Sequence, residues 1–293
     1  MESNPLVTVN ILSYNRKDEL RNTLQKVFEQ DYKNIEVIVV DNASTDSTVE
    51  MVEKEFSSVK LVKLDKNIGI AGWNEGFKIA KGEYVLVLDD DAFPAKDAIQ
   101  KAIENFNGNE TIGCITLNIL DINRKNRVRT NWLPSEDILK CEWPIFVGCA
   151  VIFRNFGEVF YMPTNYFLYQ HELPVAARIR LSRLKIYYQN DIIAYHYFKD
   201  QQNYNYKNDI LCFQNNLNFI LTYIPYSVVI FYFIQQALYY FTRSIRKGWF
   251  KQYVNIIINI NYKQLYNRKI SIGYLMELRR LHIFNYGLFS KIF

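Results

Sequence analysis

A chain of 293 residues can bury one large core or two small ones. Its four cysteines (Cys114, Cys141, Cys149, Cys212) form no CxxC pair, which excludes a zinc-type spacing and leaves buried free thiols of a reducing compartment as the simplest account. The net charge of +5 divides unevenly: residues 201–293 carry 11 Lys and Arg against 2 Asp and Glu, a balance of +9, which leaves residues 1–200 at −4. That basic excess accompanies a long uncharged run rather than a recognisable nucleic-acid module, so it speaks for anionic lipid and against nucleic acid.

Along the first hundred residues, strands and helices alternate. Residues 7–12 form an apolar run that reads as a buried strand and breaks at a polar turn, Ser13-Tyr14-Asn15-Arg16; Leu20, Leu24, Val27 and Phe28 then recur at helical spacing. Residues 35–40 are a second, β-branched strand ending in Asp41-Asn42. Ser44, Thr45 and Asp46 can cap the next helix, whose apolar face is Val49, Val52 and Phe56. A third strand covers 59–64. Residues 67–74 open another helix, and Gly82 closes it before the run 84–88, five apolar residues leading into Asp89, Asp90 and Asp91. This alternation predicts a parallel sheet with right-handed crossovers and helices on both faces. Its ligand crevice lies beyond the C-terminal strand ends, where Tyr14, Asp41 and Asp89 stand.

Further on, Pro94 suits the first turn of a helix that buries Ala98, Ile99, Ala102, Ile103 and Phe106. Residues 112–120 read as a strand, 121–131 as a charged hairpin excursion, 145–153 as a return to the sheet, and 186–195 as a last strand ending at His196. No charged residue occurs from Ile210 to Thr242, and Arg243, Arg246, Lys247 and Lys251 follow beside Trp249, Phe250 and Tyr253. Pro225 and scattered Asn and Gln interrupt the run. Three readings stand: helices lying in a membrane interface, a soluble helical subdomain, or a true span. Met1 to Pro5 show no basic patch or apolar run, so no secretory signal is expected.

Three adjacent carboxylates repel unless a cation lies between them, and a hard divalent ion that also takes phosphate oxygens meets that need. Four segments carry a resemblance: Val7 to Arg16, Val39-Val40-Asp41-Asn42-Ala43-Ser44-Thr45-Asp46, Asn67-Ile68-Gly69-Ile70-Ala71-Gly72-Trp73-Asn74 and Leu88-Asp89-Asp90-Asp91. In this order and spacing they resemble the family 2 glycosyltransferases with the GT-A fold, closely over the first 100 residues and loosely to about 200. The resemblance implies a Rossmann-like, mostly parallel α/β sheet in a domain of residues 1–200; the charge balance sets apart a basic, aromatic helical region at 201–293. It implies that Ser13, Tyr14, Asn15 and Asp41 hold the base and ribose of a sugar nucleotide. The loop bearing Asn67, Gly72 and Asn74 approaches the nucleotide, as do Asp89 and Asp90. Asp91, with Asp89 and His196, holds Mn²⁺ or Mg²⁺. By their own setting, Asp41 reads equally as a turn or cap acid, and His196, between two tyrosines, as a buried structural histidine.

A second element implied by the resemblance is an acidic pair at a helix head preceding an arginine. Aligned on Arg178, the pair is His171-Glu172, so Glu172 is the general base; His replaces the first acid, and Pro174 stands where a further acid is common. Taken alone, Glu172 is an acid favoured by a helix N-terminus. Trp143, Gly148 and His171 fall on the acceptor side. The resemblance leads to a metal-dependent, inverting transfer from a UDP- or dTDP-sugar to a glycan or lipid-linked acceptor of the cell envelope, at the inner face of the membrane, with a rhamnosyltransferase-like loop at 67–74. The alternative is a non-catalytic nucleotide-sugar-binding subunit of an envelope assembly. A dinucleotide oxidoreductase fits poorly, because no GxGxxG follows the first strand.

Overall fold

The computed structural model describes residues 4–123, 126–127, 132–197, 205–266 and 269–281. Four parallel strands form one half of the sheet: β1 (Val7–Ser13), β2 (Ile35–Asp41), β3 (Lys60–Lys63) and β4 (Tyr84–Asp89), in the order β3-β2-β1-β4. The sheet continues through β9 (Ala150–Arg154), β6 (Ile112–Asp121), β10 (Lys185–His196) and β5 (Ala92–Pro94), while β7 (Asn126–Arg127) pairs with β6 and β8 (Lys140–Trp143) with β10. β9 runs antiparallel between β4 and β6, so β6 and β10 point the same way as β1 to β4 and most strands share one direction. The GT-A-like expectation of a mostly parallel α/β sheet flanked by helices holds.

Strand β4 is buried on both faces, which is why its apolar run is continuous rather than alternating. Tyr84, Leu86 and Leu88 enter one core with Leu20, Leu24 and Val27 of α1 (Lys17–Phe28), Met51 and Val52 of α2 (Thr48–Glu55), and the apolar face of α4 (Ala98–Phe106). Val85 and Val87 enter a second core with Trp73 and Phe77 of α3 (Trp73–Ile79) and Leu173, Val175, Ala176, Ala177 and Ile179 of α5 (Glu172–Leu181). The helices after residue 205 share that second core: α6 (Tyr206–Tyr223) brings Phe219 and Ile220, α7 (Val229–Arg246) brings Val229 and Tyr232, and α9 (Ile272–Arg280) brings Tyr274, Leu275 and Leu278. With α8 (Phe250–Asn259), α6 and α7 enclose a third, smaller cluster around Phe213, Tyr240 and Trp249.

Several expectations need correction. Pro94 opens no helix. It closes β5, whose partner residues are 194–196 of β10, and the helix begins at Ala98; proline is tolerated at such short edge pairings because it needs no ladder donor. Of residues 145–153, only those from Ala150 onward are strand, since Val147 N–H is taken by the Thr116 hydroxyl at 3.2 Å. β8 lacked a periodic signal in the sequence. The charged stretch 121–131 does turn back on β6 through Asn126 and Arg127, though 124–125 and 128–131 lie outside the described residues. The uncharged run is two helices. Pro225 pushes Ile224 into extended backbone (ψ 137°) and ends α6, and no helix among the described residues is long and apolar enough to cross a membrane. The spanning reading is thereby set aside.

Candidate active site

Strand register brings three loops to one rim. Ser13 lies opposite Asp41, and Leu12 opposite Asp89, so the residues after β1, β2 and β4 share the C-terminal edge at the point where the strand order reverses around β1. β5 turns back at once, pairs Ala92 with His196, and so sets Asp91 beside His196; Tyr197 N–H donates to the Asp91 carbonyl at 3.1 Å. The rim surrounds a cavity of about 820 Å³ lined by Ser13, Tyr14, Arg16, Asn67, Trp73, Asp89, Asp90, Asp91, Phe167, Tyr169 and His196, among others.

The three aspartates divide their work. Asp90 turns back onto the first loop: its Oδ2 accepts from Ser13 Oγ at 3.0 Å and from Tyr14 N–H at 3.4 Å, and its Oδ1 from Arg16 at 3.2 Å. Asp91 accepts from Arg16 on Oδ2 and faces His196 Nε2 at 3.0 Å on Oδ1. Asp89 Oδ2 lies 3.7 Å from the same His196 nitrogen. Asp89, Asp91 and His196 each offer one ligand atom, and these atoms lie within 4.8 Å of one another. Two hard carboxylates and one imidazole form a donor set that fits Mn²⁺ well, whereas Mg²⁺ prefers oxygen alone.

These contacts separate the protonation of the three acids. Burial pushes the Asp89 carboxyl up to about 7; His196 opposes this rise and the neighbouring Asp91 and Asp90 charges add to it. Burial also raises Asp90 to about 7 against the pull of Arg16. At Asp91 burial acts the same way, but His196 and Arg16 outweigh it and hold the carboxyl below its ordinary range. For His196, burial is overcome by the Asp91 hydrogen bond and the Asp89 charge, so the imidazole pKa rises.

A model of glycosyl transferase family 2 matches residues 8–173, more than half of the chain. The chain belongs to that family. Among sequence relatives, poly-beta-1,6-N-acetyl-D-glucosamine synthase of Staphylococcus aureus (strain MSSA476) is 31% identical over 146 residues, 49% of this chain and 34% of that one. The putative teichuronic acid biosynthesis glycosyltransferase TuaG of Bacillus subtilis is 36% identical over 104 residues, 34% of this chain and 41% of that one. The matched stretch thus spans well under half the length of these relatives. Among solved structures, a mannosyltransferase of Pyrobaculum calidifontis in complex with GDP-Man and Mn²⁺ superposes with a TM-score of 0.59 at 18% identity, covering 97% of this chain and 86% of that one. The TarS 1-349 fragment of S. aureus in complex with UDP-GlcNAc gives 0.63 at 17%, covering 86% and 79%. At such identities the likeness speaks to the fold.

In this family 2 chain the other expected residues fall into two groups. Asn67 is at the cavity, where its Oδ1 accepts from Gly69 N–H at 2.9 Å. Asn15, Asp41, Gly72 and Asn74 do not line it. Asn15, at φ 53°, stitches the first two loops by accepting from Thr45 N–H at 2.7 Å. Asp41 is buried; Oδ2 accepts from Ser44 N–H at 3.0 Å, and Oδ1 has no hydrogen-bond partner. Gly72 packs against Leu12 and Asn42. Asn74 is committed to Met162, donating to its carbonyl at 2.9 Å and accepting from its N–H at 2.7 Å, away from the cavity.

Glu172 begins α5 and stands behind the cavity wall. Trp73, which lines the cavity, packs on His171 with ring centroids 5.7 Å apart, and Gly148 lies so close to His171 and Glu172 that a Cβ there would press on both. Beside Gly148, Cys149 accepts from Asp89 N–H at 3.0 Å; burial raises its thiol pKa, and the charges of Asp89, Asp91 and Glu172 add to the rise. Glu172 does not line the cavity, but with Asp89 and Asp91 it lies close enough to Cys149 to act on its thiol. Both His171 nitrogens and Glu172 Oε2 are buried without hydrogen-bond partners. Trp143 lies elsewhere: it pairs with Ile186 at the far end of β10, and its indole N–H donates to the Trp132 carbonyl at 2.8 Å.

Three features escaped reasoning from the sequence. Arg16 pairs with two of the three acids; its position one residue after Asn15, in a loop expected to meet an acidic cluster, was the available signal. Asn42 ties the first two loops to the third by donating to Gly69 O at 3.0 Å and accepting from Ile68 N–H at 2.9 Å. The lip at 167–169 is held from both sides: Ile70 N–H donates to Phe167 O at 3.0 Å, and Asn215 of α6 donates to Leu168 O and Tyr169 O at 2.8 and 2.9 Å.

Proposed function

We propose that this chain catalyses a metal-dependent, inverting transfer of a sugar from a nucleotide sugar to a hydroxyl of a glycan or lipid-linked acceptor in envelope polysaccharide synthesis. The observation that carries the reading is the convergence of Asp89, Asp91 and His196 in a cavity that Ser13 and Tyr14 also line. These three residues would hold Mn²⁺, with Mg²⁺ the weaker fit, and the ion when bound supplies positive charge to the diphosphate leaving group. The Tyr14 ring is exposed at the rim of the cavity, available to stack on a base. The donor reading remains a UDP- or dTDP-sugar, and the two solved neighbours, in complex with GDP-Man and with UDP-GlcNAc, support a nucleotide sugar without favouring one base.

The acceptor reading draws on the relatives named for poly-N-acetylglucosamine and teichuronic acid synthesis, and on a lip of exposed Phe167, Leu168 and Tyr169 suited to the apolar end of a lipid-linked sugar. Glu172 takes the proton from the acceptor hydroxyl as that oxygen forms its bond to the anomeric carbon and the bond to the nucleotide diphosphate breaks. The division at residue 200 is then one of labour: residues 1–200 bind donor and perform chemistry, and 201–293 hold the enzyme at the inner membrane surface.

Because Glu172 stands behind the cavity wall, a second reading deserves a test: a non-catalytic subunit that binds the nucleotide sugar. Glu172→Gln separates them. A catalyst retains donor binding by calorimetry and loses transfer at least 100-fold, within the range general-base removal produces; a wild-type protein that binds donor but transfers nothing belongs to the second reading.

A further inference from the structure

Helix α7 turns polar side chains inward and apolar ones outward, and α6 meets it with buried asparagines. Asn215, Asn216 and Asn218 of α6 and Gln235, Gln236 and Ser244 of α7 are buried, and Asn216 donates to Gln236 Oε1 at 3.3 Å between the helices. The outward side of α7 is apolar: Ile230 is 70% exposed, Ile234 50%, Leu238 49% and Ile245 55%, with Phe231 and Phe241 exposed among them. At 100° per residue these six positions fall within an arc of about 100°. A helix facing water shows the reverse pattern. On α8, Phe250, Val254 and Ile258 repeat every four residues and are also exposed, and the Phe241 and Phe250 rings meet at 5.7 Å, so the two helices present one continuous face. Exposed apolar faces of this extent mark a membrane or protein contact.

Charge selects between those partners. Residues 210–242 are uncharged, and the exposed Arg246, Lys247 and Lys251 gather where α7 meets α8. A second copy of the chain would bring a basic region of the same sign to the contact. A bilayer with anionic headgroups complements both the apolar arc and the cations at its end. Neither helix is long and apolar enough to cross.

We infer that the outward face of α7 and α8 is the surface on which the protein lies against an anionic bilayer, with Ile234, Leu238 and Phe241 at the acyl boundary and Arg246 and Lys251 among the headgroups. The inference rests on the membrane part of the proposed function and is independent of its chemistry. It also links membrane to site: α6 packs on α7 and holds the cavity lip through Asn215, so docking fixes the lip relative to the bilayer.

The test is co-sedimentation of the full chain with vesicles containing phosphatidylglycerol or phosphatidylcholine alone, with UDP binding measured on the same preparations. Wild type is expected to bind the anionic vesicles at least tenfold more tightly. The double variant Ile234→Ser, Leu238→Ser alters two half-exposed side chains, so it should keep its melting temperature and lose at least tenfold in vesicle affinity. Arg246→Gln with Lys251→Gln should weaken anionic binding roughly fivefold per cation at low salt and leave neutral vesicles unaffected. Wild-type indifference to both vesicles, or an unaltered affinity in the serine variant, overturns the inference. So does a solution dimer that the serine substitutions dissociate, which would give the face to a second copy. Intact nucleotide binding without vesicle binding defeats only this inference; the converse defeats only the chemical reading.

Discussion

Arg16 and His196 each take one oxygen of Asp91, so groups of the chain's own already occupy that acid at the point where a dication would be held. Arg16→Gln should therefore tighten Mn²⁺ binding about tenfold or more, because a like charge a few ångströms from the ion is removed. It should also lower the melting temperature of the metal-free protein, while the Mn²⁺-saturated variant and wild type melt together; equal Mn²⁺ affinities by electron paramagnetic resonance titration would contradict this. The acids also predict a pH dependence. Asp89 and Asp90, raised to about 7 from an ordinary 3.8, keep their protons in the folded chain where the unfolded chain has lost them. Metal-free stability should then fall as pH rises from about 4 to about 7, the sign for acids whose folded pKa is raised, and Mn²⁺ should abolish the fall. Since Mn²⁺ must displace the proton of Asp89 and that of His196, its affinity should climb as pH rises through about 7. An affinity flat from pH 5 to pH 8 would refute the assignment.

Among the elements, the C-terminal ends of β1, β2 and β4 do most to build the cavity, and they were the most legible from sequence. A continuous apolar run that stops at a polar residue announces both a strand buried on two faces and its functional end. What stayed hidden was the use of each polar side chain once the loops had folded. Asn74 belongs to a motif that suggests nucleotide contact, but its amide fits the Met162 backbone, and nothing local in the sequence could distinguish the two uses. Asn74→Ala leaves two buried backbone groups without partners and should destabilise by about 2–4 kcal/mol, seen as a lower urea midpoint with an unchanged slope. Gly69 has a plainer reason for its identity. Its φ is +66°, and a Cβ there would collide with the Phe167 carbonyl. Gly69→Ala should break the Ile70–Phe167 hydrogen bond, loosen the lip and weaken UDP binding more than tenfold; unchanged binding would show that the lip does not shape the site. Pro94 and residues 145–149 misled for a related reason: pairing with β10 and contact with Thr116 override local preference.

For the molecule as a whole, composition had already separated an acidic part from a basic, aromatic one, and that contrast is the reason we propose chemistry for one and a membrane surface for the other. The structure adds that the two are not independent bodies, since α6, α7 and α9 complete the core beneath α3 and α5. Periodicity alone could not reveal this, because α6 and α7 bury asparagine and glutamine and α7 exposes isoleucine and leucine. The proposed chemistry depends on the acids at the sheet rim gathering a dication and, with it, a nucleotide diphosphate. The most direct test is the turnover of a panel of UDP-, dTDP- and GDP-sugars with Mn²⁺ by wild type and by Asp91→Ala. The account predicts Mn²⁺-dependent turnover of at least one donor, and a loss in the variant well beyond the roughly 10–100-fold typical of outer-shell changes. Equal turnover in the two proteins, or turnover indifferent to metal, would contradict it.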